Sequence, residues 1–205
     1  MEPEDKVMRT NRFMMAALAL AIAFAFATSA WADEYALDPA HSQIGFAVKH
    51  MVITKVRGVF ETYDGSFELD KNNTLVSAKA DIEVKSINTR IEKRDNHLRS
   101  EDFFYAEQHP RMSFVSKTAT KLPDGTYAVT GLLTIRGVSK DVTLTGEITG
   151  PVKDPWGYQR VGFHATTTVN RKDFGLLWNQ TLETGGVLVG DDVEITVEGE
   201  GILKK

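Results

Sequence analysis

Cysteine is absent from this chain of 205 residues, which excludes a disulfide framework, a thiolate nucleophile, a cysteine zinc site and a lipid-modified cysteine. An excess of positive charge is also missing. With 24 Lys+Arg against 28 Asp+Glu the formal net charge is −4, which argues against a nucleic-acid partner. Proline is scarce at six residues, and the 42% hydrophobic and 25% charged fractions are those of globular proteins, so collagen-like and largely disordered descriptions fail. Helix signal is scarce as well. The polar stretch Thr89 to Arg99, capped by Ser86 or Asn88, is the one segment that reads as a helix, and its mixed charges read as a solvated face. Neither a tandem repeat nor a linker breaks the chain, which is expected to form one domain over 33–205.

Long apolar runs are limited to one. Met14 to Ala27 reads MMAALALAIAFAFA, preceded by Arg9 and Arg12 and followed by Ala30-Trp31-Ala32. This is the anatomy of a cleavable secretory signal peptide spanning 1–32, and the run is shorter than the roughly 20 residues of a spanning helix. Glu2, Glu4 and Asp5 sit oddly in a region that should be basic, and a start at Met8 would remove them. With neither a twin-arginine pair nor a lipobox cysteine, the signal points to the periplasm.

The remainder alternates with a period of two. Val76, Ala78, Ala80, Ile82 and Val84 share one parity, and Ser77, Lys79, Asp81, Glu83 and Lys85 the other. The pattern recurs at Ile44, Phe46, Val48; at Met112, Phe114; at Tyr127, Val129, Leu133, Ile135; at Val142, Leu144, Ile148; at Val161, Phe163, Ala165; and at Val193, Ile195, Val197. With Val56 to Leu69 taken as one more, about eight half-buried antiparallel strands follow. Turn signals such as Asp64-Gly65 and Pro123-Asp124-Gly125 punctuate them. Eight strands with one apolar face each need a partner surface that a single polar helix cannot supply, so the sheet must fold onto itself. Closure into an eight-stranded barrel or packing as two sheets both do this; closure also removes exposed edges, and an eight-stranded barrel has room for side chains or for one small ligand.

Nine segments in order resemble the YceI family of secreted, lipocalin-like bacterial proteins that bind polyisoprenoids. They are Leu37-Asp38-Pro39-Ala40-His41-Ser42, Phe46-Ala47-Val48-Lys49-His50, Gly58-Val59-Phe60, Ser86-Ile87-Asn88-Thr89, the run from Arg94 to Phe104, His109-Pro110 with Phe114, the run from Gly131 to Val138, the run from Asn170 to Gly175, and Val189-Gly190-Asp191-Asp192-Val193. The resemblance implies an all-β, eight-stranded antiparallel lipocalin-like barrel with one short helix. It implies an isoprenoid or quinone-like chain as ligand, no other cofactor, and often a dimer. Storage or transport of that lipid, with transient membrane contact, is the function this implies. A hydrolase acting on a prenyl lipid, or a ligand-free protein whose apolar loop binds a partner, are the competing readings.

Residues expected on the ligand wall share the apolar phases: Ile44, Phe46, Val48, Phe60, Ile82, Val84, Phe114, Leu133, Ile135, Val142, Leu144 and Phe163. The stretch from Asp173 to Val189 is too apolar for an ordinary loop, so Phe174 and Leu176 are expected at the mouth or in packing. Arg171 beside it is the best candidate for a diphosphate head, since a guanidinium fork matches phosphate oxygens; Arg90, Arg94, Arg99 and Arg136 are weaker ones. Asp38, His41 and Ser42 suggest a triad on paper, yet no nucleophile elbow accompanies them, and structural hydrogen bonding at a strand start is the simpler reading. The five histidines lack paired metal spacing, so neither catalytic nor metal residues are expected.

Overall fold

The computed structural model describes residues 32–183 and 185–204. All but the last residue of the expected signal peptide, and both candidate start codons, lie outside the described residues. Among the described residues no helix is long and apolar enough to cross a membrane.

Eleven strands build one antiparallel sheet: β1 (Asp33–Leu37), β2 (Gln43–His50), β3 (Thr54–Phe60), β4 (Tyr63–Leu69), β5 (Leu75–Glu83), β6 (Ile87–Asn88), β7 (Arg111–Lys121), β8 (Tyr127–Ile135), β9 (Val138–Lys153), β10 (Gln159–Asn170) and β11 (Val189–Leu203). Its order is β1-β4-β5-β7-β8-β9-β10-β11, and β1 also pairs with β11, so eight strands close into a barrel. The other three, β2, β3 and β6, extend from β11 in that order. The stretch Val56 to Leu69, expected as one strand, is two, broken at Glu61–Thr62.

The extension follows from a kink in β11's partner. The last residues of β11 pair with β1 and the preceding ones with β2, with the turn at Asp38–Ser42 between. Opposite the kink Gly199 takes φ +148, and a Cβ there would fall 2.2 Å from Ser42 Oγ, so the close approach needs glycine. Ser42 Oγ donates to the Glu200 carbonyl, also at 3.2 Å from the Glu200 amide. The strand-end network is therefore structural. His41 Nδ1 lies 2.8 Å from Asp38 Oδ2, but Ser42 is spent on β11's backbone, and no triad forms.

A bulge corrects one parity. Glu68 faces Ser77 and Leu69 faces Leu75, so Val76 is the extra residue and is 45% exposed, while Leu75 takes the buried place. The helix α1 is Glu92–Arg99, three residues shorter than expected, and neither Ser86 nor Asn88 caps it. Asn88 Oδ1 instead accepts from the Arg90 amide, and Ser86 Oγ donates to the Glu83 carbonyl. Asp95, within the supposed solvated face, is buried and accepts from the Thr89 amide and hydroxyl.

One end of the barrel is plugged. Tyr35, Phe67, Leu69, Leu75, Tyr127, Val129 and Val161 form a buried cluster, with Tyr35 and Phe67 stacked at 5.4 Å and Phe163 edge-on to Phe67 at 5.7 Å. The Tyr35 hydroxyl accepts from Gln159 Nε2, which satisfies its polar tip. The kinked corner is clamped by Arg160, whose NH1 reaches Asp38 at 2.7 Å and Glu200 at 2.9 Å while Nε reaches Asp154 at 2.8 Å. The side-chain atoms of Asp38, His41 and Glu200 converge within 4.8 Å of one another, as metal ligands would, but the cation among them is this guanidinium.

Hydrogen bonds from Arg160 and then His41 hold the Asp38 carboxyl down at about 2. Its folded value lies below its ordinary 3.8, so the stability it contributes is present above pH about 4 and disappears as pH falls toward 2. Urea unfolding across this range should show stability declining on acidification, and Arg160→Gln should lower stability at neutral pH and make the decline shallower. A slope unchanged in the variant would contradict the clamp.

Candidate functional site

Between the plugged end and α1 the barrel encloses a cavity of about 250 Å³. Its wall is built from inward positions of the alternating strands and is almost wholly apolar. The void is off-centre. On β8 the inward residues Tyr127, Val129, Leu133 and Ile135 are buried, whereas Val142 and Leu144 of β9, Phe163 of β10, and Val193, Ile195 and Val197 of β11 are inward yet only half-buried. Such side chains face empty space instead of neighbours, so the hollow lies against the β9-β10-β11-β2 wall.

Of the expected wall residues, Ile44, Phe46, Val48, Phe60, Ile82, Phe114, Leu133, Ile135, Val142, Leu144 and Phe163 all line this cavity, as do Phe174, Leu176 and Arg171. Val84 does not. Strand β5 ends at Glu83 and a single 3-10 turn, Val84–Ser86, follows, which carries Val84 off the strand's alternation into solid core at 1% exposure.

Large aromatic rings line a barrel that is nevertheless hollow, and glycines explain this. Phe46 faces Gly58 across β2 and β3, and a Cβ on Gly58 would lie 2.5 Å from its ring. A Cβ on Gly131 would meet the Phe114 ring at 2.5 Å in the same way. Both rings lie down over a glycine floor instead of standing into the interior. Small inward residues, Ala78, Ala80, Ala165 and Gly146, widen the lumen further.

The end opposite the plug carries a cap made by α1, the segment 100–110 and the segment 171–178. Leu98, Phe103 and Phe104 from the first two line the cavity. Reading α1 as a solvated face missed Leu98, and the expected wall left out Phe103 and Phe104, for which the adjacent aromatic pair in a polar stretch was the available signal. From the third segment, Trp178 meets His97 edge-on at 4.7 Å and Phe103 at 5.2 Å, while His97 Nε2 is 2.9 Å from Asp102.

Arginines hold the cap by its carbonyls. Arg171, 4% exposed, donates to Gly190 O at 2.9 Å and through NH1 to Leu176 O and Trp178 O, with Asp191 at 3.4 Å. Burial pushes its pKa down and the Asp191 carboxylate pulls it back up. Arg136 reaches Gly175 O and Glu101 O, tying two cap segments together. Arg99 donates to Lys85 O and Ile87 O, and Arg94 to Thr89. The guanidinium expected to greet a diphosphate is therefore occupied with the loop that seats Leu176, and Arg171 joins the cavity wall as part of that support.

This interior suits a flexible apolar molecule held by exclusion from water, with few polar groups to fix a head. The comparisons agree with the architecture. Residues 35–201 match the YceI-like domain family. The UPF0312 proteins of Staphylococcus aureus strains MSSA476 and USA300 are each 39% identical over 168 residues, covering 81% of this chain and 95% of theirs. Among solved structures, the Campylobacter jejuni YCEI protein superposes with TM-score 0.66 at 34% identity, covering 77% of this chain and 90% of that one. BcnA of Burkholderia cenocepacia gives TM-score 0.70 at 23% identity, over 80% of this chain and 98% of that one. A polyisoprenoid binding domain from Saccharophagus degradans gives 0.60 at 14% identity, covering 83% and 98%.

Replacing Arg171 by Met should strand buried carbonyls and cost about 2–4 kcal/mol in urea unfolding, with faster proteolysis within 175–188. A loss below about 0.5 kcal/mol, the size of an ordinary surface change, would remove Arg171 from this role.

Proposed function

The chain belongs to the YceI-like domain family, and on that premise we propose that its barrel holds an isoprenoid or quinone-like lipid in the periplasm for storage or transport, as a binding protein with no chemistry of its own. The observation that carries this reading is the half-buried inward wall of β9, β10 and β11, apolar surface left facing a void inside a folded protein. Uncovered apolar area of that kind is unfavourable, and a chain-like hydrocarbon relieves it at about 0.8 kcal/mol per buried CH2. A few isoprene units already contribute several kcal/mol on that scale. A long chain would nominally exceed the practical ceiling of about 20 kcal/mol, so ordering of the chain offsets much of the gain and cavity shape sets the preferred length. The similarity of fold to a polyisoprenoid binding domain supports the same ligand class, and the sequence features of residues 1–32 support export.

Native mass spectrometry of the protein purified from a bacterial periplasm is expected to show a retained hydrophobic ligand, or uptake of added prenyl lipid. Filling the lumen with Ala165→Trp should reduce that uptake at least about tenfold, a loss of roughly 1.4 kcal/mol or more, with the fold intact by circular dichroism. Absence of any ligand and of any uptake in the wild type would end the carrier reading.

A further inference from the structure

The hairpin joining β2 to β3 carries Met51, Val52 and Ile53 at its tip, 39%, 67% and 76% exposed. Apolar side chains at a solvent-facing turn gain nothing for the fold. Here they also oppose it. Met51 and Val52 have φ +51 and +67, the left-handed pattern that Asn-Gly normally fills in such turns, and a β-branched residue there is strained. Some demand other than folding therefore accounts for them.

Three observations identify that demand. First, the tip continues the cavity wall: Val48 and Val189 line the cavity, His50 pairs with Val189, and the Met51 amide donates to Leu188 O. Val187, 43% exposed, precedes Leu188, whose carbonyl binds the tip, and adds to the apolar surface there. Second, the whole stretch from Gln43 to Phe60 contains no acidic residue but has Lys49, Lys55 and Arg57, all exposed. Third, of the β11 carboxylates near the tip, Glu194 is engaged by Lys55 and Asp191 by Lys172, which leaves Lys49 and Arg57 against Asp192 alone. An apolar point flanked by the long cationic side chains of Lys49 and Arg57 complements a bilayer with anionic headgroups, the apolar residues entering the acyl boundary and the cations remaining at the phosphates.

We propose that the β2–β3 hairpin tip, Met51–Ile53, docks the protein on an anionic lipid surface and places the cavity wall against the bilayer, where lipid exchange takes place. The exchange step rests on the carrier reading above; the docking does not.

Because the chain lacks cysteine, a single thiol can report the contact. Full-length chain with Val52→Cys, labelled with an environment-sensitive fluorophore, is mixed with vesicles of phosphatidylglycerol and phosphatidylethanolamine. Emission at position 52 should shift to the blue, while a label at Lys71→Cys, in the turn at the plugged end, should not move. Neutral phosphatidylcholine vesicles or high salt should weaken the shift. The double variant Met51→Asn, Val52→Gly installs favoured turn residues, so it should raise the unfolding midpoint and yet reduce vesicle binding about tenfold, a change of about 1.4 kcal/mol. Residues 1–31 are common to every variant, so differences belong to the hairpin. Equal shifts at 52 and 71, undiminished vesicle binding by the double variant, or a shift at 52 that depends on protein concentration without vesicles would overturn the proposal, the last by making the tip a contact between copies. Native mass spectrometry on the double variant separates the two readings: cargo retained without vesicle binding leaves docking intact as a distinct function, whereas vesicle binding without cargo in the wild type defeats only the carrier.

Discussion

Closure of the strand ring is the constraint from which the rest of the molecule follows, and it depends on the five-residue β1, which bonds to β4 on one side and to the end of β11 on the other. Without that bridge two long strand edges would be open to water and to other chains, and the apolar face of the sheet would have nothing to pack against. The closing strand is firmly held: Tyr35 is fully buried and stacked on Phe67, and Arg160 clamps the corner where β1 gives way to β2. Closing the ring with an aromatic cluster at one end, and with rings laid flat over glycines and small inward residues elsewhere, leaves the middle hollow.

The two ends of that hollow obey different physics. At the plugged end, aromatic packing and apolar burial suffice. At the other, the chain must cross the barrel as irregular backbone, which leaves carbonyls that no strand neighbour can satisfy. Arg99, Arg136 and Arg171 meet this need by donating to them, so these cationic side chains of the capped end act on the protein's own backbone. The same backbone chemistry explains why the lumen is so poor in polar groups and why recognition there rests on shape and exclusion of water.

Much of this was legible in the chain. Period-two alternation located the strands and put Ile44, Phe46, Leu133, Ile135, Val142 and Leu144 on one face, because side chains on a pleated strand have only two directions to choose from. The scarcity of helix forced the sheet to fold onto itself. Where the reading slipped, a local irregularity had intervened: one extra residue at Val76 exchanged the parity at the start of β5, and a 3-10 turn removed Val84 from its end. Neither leaves a mark in composition. Arg171 looked like an anion site because an arginine beside an apolar loop has the same sequence signature whether its partner is a phosphate or a buried carbonyl.

Alternation and composition alone determined the all-β class, a sheet folded onto itself and the inward set of side chains, since these depend on the free energy of burying one face and are insensitive to detail; closure of the ring was decided by the pairing of β1 with β11. Whether the interior was solid or hollow was decided only in three dimensions. It turned on whether Phe46 and Phe114 stood upright or lay down, and that depended on Gly58 arriving opposite Phe46 and Gly131 diagonally across from Phe114 on neighbouring strands. Proximity of that kind is set by register between segments distant in the chain, which no local pattern encodes.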